Sequence, residues 1–105
     1  MWIFVTIDFS QTRSGRKLRE TFCRYLARDG FTMLNRNTWL RYCTTTGNAL
    51  KHRERVKQAI PMSSCVTLIL VADKQYEQVY NHYGRGSRRK KDSELPSIPD
   101  MIEFF

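Results

Sequence analysis

Long apolar runs are missing from this chain. The longest, Cys65 to Ala72, falls far short of the roughly 20 residues that a bilayer-spanning helix needs. Cysteine is scarce as well: Cys23, Cys43 and Cys65 are three in number, widely spaced and never arranged as Cys-x-x-Cys. That odd, scattered set excludes a disulfide framework and a zinc site, and predicts buried or half-buried thiols in a reducing cytoplasm. Met1 to Phe9 is apolar at once, without the basic segment and small-residue cleavage site of a secretory leader, so a cytoplasmic location is expected. Acid is the short side of the charge balance, with 10 Asp and Glu against 18 Lys and Arg. Conventional catalytic sets are missing too. There are two histidines, no serine lies in a Gly-x-Ser-x-Gly context, and Gly84-Arg85-Gly86 is too short for a phosphate-cradling loop.

What is present is positive charge. A net charge of +8 on 105 residues attracts polyanions. A membrane surface would call for a basic amphipathic helix with a bulky apolar face or a lipidation signal, and neither is evident, so nucleic acid is the expected partner. The length allows one domain with a thin core, which self-association would extend.

Periodicity orders the chain. Trp2 to Phe9 alternates as a strand with Ile3, Val5, Ile7 and Phe9 on one face and Trp2, Phe4, Thr6 and Asp8 on the other, both faces being largely apolar. Ser10 to Gly15 reads as a polar connection. A helix over Arg16 to Asp29 carries Leu18, Phe22, Tyr25 and Leu26 as its apolar stripe and ends at Gly30. Phe31 to Leu34 and Thr38 to Tyr42 read as two closely linked strands. A second helix, Asn48 to Ile60, faces inward through Ala49, His52, Val56 and Ile60 and stops at Pro61. Cys65 to Ala72 is the strongest strand signal, followed by a short helical turn that Asp73 can cap. From Gly84 the composition turns flexible and basic, and Met101 to Phe105 is apolar again. The expected division is a folded domain over 1–83 and a basic linker with a docking segment over 84–105.

The order is that of an α+β, ferredoxin-like βαββαβ sandwich, with two helices on one face of an antiparallel sheet. Apolar residues on both faces of the first and last strands predict that the second face is covered, and a symmetric dimer packed sheet on sheet would cover it.

Asp8 is the residue that needs an explanation. A carboxylate closing an apolar strand either sits at the exposed strand end, capping the loop through Ser10 or Gln11, or serves as a ligand for a hard cation such as Mg²⁺. One carboxylate per chain makes a poor site, and two brought together by a two-fold axis make a better one. His52 on an inner stripe reads as a half-buried structural histidine. His82, between Tyr80 and Tyr83, either stacks on a base or has no role. Basic residues fall in three groups: Arg13, Arg16, Lys17 and Arg19 after Asp8; the outer face of the second helix; and Arg85, Arg88, Arg89, Lys90 and Lys91 in the tail. The helix group reads as a solvated surface, whereas a like-charge run in a tail has no folding role and suits phosphate contacts.

Several segments together resemble the Cas2 family of CRISPR adaptation proteins, and most closely its type II branch. They are W-I-F-V-T-I-D-F at Trp2 to Phe9, G-R-K at Gly15 to Lys17, D-G-F-T-M-L at Asp29 to Leu34, R-V-K-Q-A-I-P at Arg55 to Pro61, A-D-K-Q-Y at Ala72 to Tyr76, and I-E-F-F at the end. The resemblance covers nearly the whole chain and implies a ferredoxin-like homodimer whose C-terminal segment adds a strand to the other subunit's sheet. It implies that Asp8 is a metal ligand for Mg²⁺-dependent cleavage of single-stranded RNA or double-stranded DNA. It also implies a central dimer that bridges the Cas1 integrase in spacer acquisition, with protospacer duplex lying across it and Arg13 and Arg16 among the DNA contacts. Two departures, Ile7 where many members carry an aromatic residue and Met33 where many carry a basic one nearby, bear on the nuclease more than on the scaffold. The alternatives are a toxin-like RNA interferase of the same fold and a purely non-catalytic DNA-binding scaffold.

Overall fold

The computed structural model describes residues 1–86 and 95–98. The elements run β1 (Trp2–Asp8), α1 (Arg13–Arg28), β2 (Thr32–Asn35), β3 (Thr38–Tyr42), α2 (Thr46–Ala59), β4 (Cys65–Val71) and α3 (Asp73–Tyr76). The four strands form one antiparallel sheet in the order β2-β3-β1-β4. This is the ferredoxin-like arrangement that the element order predicts.

Alternation along β1 builds both layers. Ile3, Val5 and Ile7 enter the helix-side core with Trp39, Phe22, Leu26, Ala49 and Val56. Trp2 and Phe4 enter a second buried cluster with Leu34 and Leu40 on the opposite face. Leu26 and Val56 are fully buried, and truncating such a leucine typically costs about 2–5 kcal/mol.

The second face is closed, in part, by the chain itself. Tyr76 of α3 stacks on Trp2 with ring centroids 3.9 Å apart, and its hydroxyl donates to the Pro96 carbonyl at 2.5 Å. Val79 and Leu95 pack against the same cluster. The expected bare face is therefore already occupied over Trp2 and Phe4 without a second copy.

Several local expectations are corrected. α1 starts at Arg13 rather than Arg16, because Thr12 caps it by accepting from the Gly15 amide at 3.1 Å. Gly15 is thus a packing glycine inside the first helical turn: a Cβ there would collide with the carbonyl and hydroxyl oxygens of Ser10. Leu18 of the predicted stripe is exposed, while Phe22 and Leu26 are buried. α2 starts two residues early, capped by Thr45. β4, for all its apolar content, is an edge strand that leaves Thr67 and Ile69 exposed. Asp73 does not cap α3: the cap position is Ala72, whose amide donates to Gln75 Oε1, and Asp73 pairs instead with the Met1 amine. Gly30 ends α1 with φ +87°, the left-handed conformation that its position predicts. Met101 to Phe105, where an added strand is expected, lie outside the described residues.

Candidate nucleic-acid interface

Asp8 is the last residue of the central strand. The period of two places it on the same face as Trp2, Phe4 and Thr6, paired across β1–β4 with Cys65. At this end of the sheet Asp8 is exposed.

Two connections converge beside it. The loop after β1 is fixed by hydroxyls: Ser10 Oγ and Thr12 Oγ1 lie 2.8 Å apart, and Thr12 caps α1. Because β3 runs antiparallel to β1, the β2–β3 turn arrives at the same end. It is tied there by the Ile7 amide donating to the Asn37 carbonyl at 2.8 Å and by the Asn37 amide donating to Asn35 Oδ1 at 3.0 Å. Arg19 of α1 clamps this turn by donating to the Arg36 carbonyl.

These elements enclose a polar hollow of about 200 Å³ around Asp8, bordered by Arg16 and Arg19 of α1 and by Arg36 and Asn37 of the turn. Three arginines and one aspartate thus line the hollow, and among the described residues no ion pair joins Asp8 to any of them. The hollow therefore keeps an excess of positive charge. α1 adds to it: its first turn holds no acidic residue to offset the helix dipole, and Arg13, Arg16 and Lys17 crowd its positive end. Cations at a helix N-terminus are unfavourable by a few tenths to about 1 kcal/mol each, a strain that a bound anion relieves.

The donor set around Asp8 admits a cation only on limited terms. Among the described residues no cluster of three or more His, Cys, Asp or Glu exists. Asp8 offers one carboxylate, and Ser10, Gln11 and Asn37 offer neutral oxygens. That set fits a hard cation that keeps most of its water, such as Mg²⁺, and does not fit a closed protein cage.

The expected site residues are distributed unevenly. Arg16 lines the hollow with Asp8. Arg13 and Lys17 are exposed on the first turns of α1 but do not line it. Arg88, Arg89, Lys90 and Lys91 lie outside the described residues. Arg36, with Asn37 of the same turn, is a lining residue that sequence reading missed. Its signal was the antiparallel order itself, which brings the β2–β3 turn to the end of β1.

His52, expected to be half-buried, is buried and paired. Its Nδ1 lies 2.9 Å from Asp29 Oδ2, Arg55 donates to Asp29 Oδ1 at 3.3 Å, and Arg41 donates to the Asp29 carbonyl at 2.9 Å. The cluster ties the end of α1 to α2 and β3, away from the hollow's lining, and acts as a structural joint. The thiols divide by burial. Cys43 is buried and Cys23 half-buried, and burial pushes both above the ordinary thiol range, with Arg19 partly opposing the rise at Cys23. Cys65, expected to be at least half-buried, is exposed.

No protein-family profile matches the chain. Curated relatives do. The chain is 29% identical to the CRISPR-associated endoribonuclease Cas2 of Flavobacterium psychrophilum across its full length and 88% of that protein. It is 28% identical to the Parvibaculum lavamentivorans Cas2 over the full length of both. Against a Rhodospirillum rubrum Cas2 the identity is 33%, over 80% of this chain and 74% of that one. The crystal structure of Streptococcus pyogenes Cas2 at pH 6.5 superposes with a TM-score of 0.59 at 18% identity, covering 75% of this chain and 95% of that one, which is a likeness of fold. With the element order and the sheet topology in place, these similarities show that the chain belongs to the CRISPR-associated Cas2 family.

Proposed function

We propose that the chain is the nucleic-acid-holding subunit of CRISPR spacer acquisition, working in the cytoplasm as a homodimer that bridges the Cas1 integrase and seats protospacer duplex against its basic surface. The observation that carries this reading is the hollow at the end of β1, where Arg16, Arg19 and Arg36 outnumber the lone Asp8. Guanidinium groups make charge-assisted, often bidentate bonds to phosphate. Contacts of this kind give affinity and register on a duplex without reading its sequence, which suits a subunit that must accept any protospacer. Arg13 and Lys17 on the adjoining turns of α1 extend the same surface, and Arg88, Arg89, Lys90 and Lys91 add further positive charge in the tail sequence.

A second reading adds cleavage. The curated relatives bear the name endoribonuclease, and an exposed carboxylate among phosphate-binding arginines suits metal-assisted hydrolysis of a phosphodiester in RNA or DNA. Asp8 would hold Mg²⁺, with oxygens of Ser10, Gln11 or Asn37 nearby. When bound, the ion supplies an activated water and polarises a phosphoryl oxygen. The arginines orient the phosphate and offset charge that builds on it.

The two readings separate at Asp8. The full chain, reconstituted with Cas1 and a protospacer duplex, is assayed for integration, and separately for Mg²⁺-dependent cleavage of single-stranded RNA and duplex DNA. Arg16→Ala should reduce integration. Asp8→Asn should leave integration near the parental level while abolishing any cleavage that chelator also abolishes. Undiminished cleavage by Asp8→Asn removes the metal role. Cleavage of RNA by the chain alone, with no contribution to integration, favours the RNA-interferase reading.

A further inference from the structure

Beyond α3 the chain takes an alternating path that the sequence pattern already marks. Val79, Asn81 and Tyr83 are partly buried, while Tyr80 and His82 between them are exposed. The inward residues are held. Val79 packs on the second core cluster, Asn81 Oδ1 accepts from the Asn35 side-chain amide at 3.4 Å, and the Tyr83 hydroxyl donates to the Leu34 carbonyl at 2.8 Å. The segment is thereby fastened along β2, and residues two apart on an extended backbone share one side.

The outward pair is unusual for a soluble surface. Tyr80 is 83% exposed, and its ring lies nearly parallel to that of His82, at 16° with centroids 6.1 Å apart. No apolar cluster claims either ring. Positive charge is close in the chain: Arg36 follows Asn35, the residue that anchors the segment, and Arg85, three positions after His82, is exposed. Nearly parallel, exposed rings on a fastened backbone are the parts of a platform on which an unpaired base stacks.

We infer that Tyr80 and His82 form a stacking site for an unpaired nucleobase of a single-stranded RNA or DNA segment. The inference rests on the reading of the chain as a nucleic-acid-binding protein, and adds to phosphate binding at the Asp8 hollow a second contact, to a base face that the interior of a duplex keeps covered. A base laid on the open face of Tyr80 prolongs the Tyr80–His82 stack. Every base has a π-face, so the site is indifferent to sequence.

The test compares fluorescence anisotropy of a labelled single-stranded 12-mer, in RNA and in DNA form, with that of a blunt duplex of equal length, using the full chain. Tyr80→Ala should weaken single-strand binding about tenfold, the loss expected for one stacked base, and leave duplex binding unchanged. His82→Ala should act in the same direction, and Tyr80→Phe should bind as the parent. Tyr80 is exposed, so Tyr80→Ala should keep the parental circular dichroism. Equal single-strand affinity in the parent, Tyr80→Ala and His82→Ala overturns the inference. If Arg16→Ala still weakens duplex binding in that case, the phosphate reading survives. If the parent binds neither probe, both readings fall. Unchanged single-strand affinity together with a lower mass by light scattering for Tyr80→Ala means that the rings seat a second copy of the chain, which also overturns it.

Discussion

Replacing Asp29 by Ala probes the joint between the two helices and the sheet. The carboxylate is largely out of water, with its side chain 12% exposed, and so is its partner His52 at 7%. Once the carboxylate is gone, a buried imidazole nitrogen loses its hydrogen-bond partner, a loss of about 1–3 kcal/mol. Arg55 is 52% exposed, so its pairing with Asp29 is screened by water and adds about 0–1 kcal/mol. The bond from Arg41 goes to the Asp29 backbone and survives the substitution. Together these span about 1–4 kcal/mol, with about 2–3 kcal/mol at the centre of that range, a large share of the roughly 5–15 kcal/mol that holds a typical domain folded. For a domain of this size it lowers Tm by about 10–20 °C. Urea denaturation followed by circular dichroism measures the loss. The double-mutant cycle with His52→Ala isolates the pair and should give a coupling of about 1–2 kcal/mol. A loss below about 0.5 kcal/mol, or strict additivity of the two substitutions, would refute the reasoning.

Gly15→Ala should destabilise the chain by about 1–2 kcal/mol in the same denaturation assay even though alanine favours helix, because a Cβ meets the Ser10 carbonyl inside the first turn of α1; a stabilised variant would contradict that packing. Thiol labelling at mildly alkaline pH should modify Cys65 first and Cys43 only on unfolding, since Cys43 is buried and burial raises its pKa; peptide mapping after brief exposure to reagent reads the order. Burial also pushes the Tyr76 hydroxyl up to about 12 from an ordinary 10.0. Its folded-state pKa is the higher one, so the unfolded chain loses the proton first. The stabilising contribution is complete below pH 10 and is lost as pH rises from about 10 to about 12. Tyr76→Phe, which cannot ionise, should remove that part of the alkaline decline.

Periodicity made the helix-side core legible, because an inward position on β1 or α2 needs only its own element to be identified: Ile3, Val5, Ala49, His52 and Val56 are buried as that pattern requires. Features set by two elements at once were harder to see. β4 reads as covered on both sides, yet it lies at the edge of the sheet, and Thr67 and Ile69 face water because of where the strand sits rather than what it contains. Gly15 resembles a loop glycine until Ser10 is placed against it. Trp2 and Phe4 signal a covered second face, but not that Tyr76 and Leu95 of the same chain help to cover it.

The candidate site follows the same division. Asp8 stands out as a carboxylate on an apolar strand, and Arg16 follows from its position soon afterwards. Arg36 belongs to a turn far along the chain, and only antiparallel pairing brings it beside them. Tyr80 and His82 are visible as aromatic residues, but their shared outward side depends on how Asn81 and Tyr83 fasten to β2.

The central claim, that the arginines around Asp8 hold nucleic-acid phosphates, is tested most directly by the salt dependence of duplex binding. Each phosphate contact adds about 0.9 to the magnitude of the slope of log K against log salt. Changing Arg16, Arg19 and Arg36 together to Ala should therefore lower that magnitude by about 2.7 for each hollow that touches the duplex. Lys57→Ala, on the outer face of α2 and paired with Glu54 at 3.3 Å, serves as the control and should leave the slope unchanged. A triple variant with the parental slope would contradict the account.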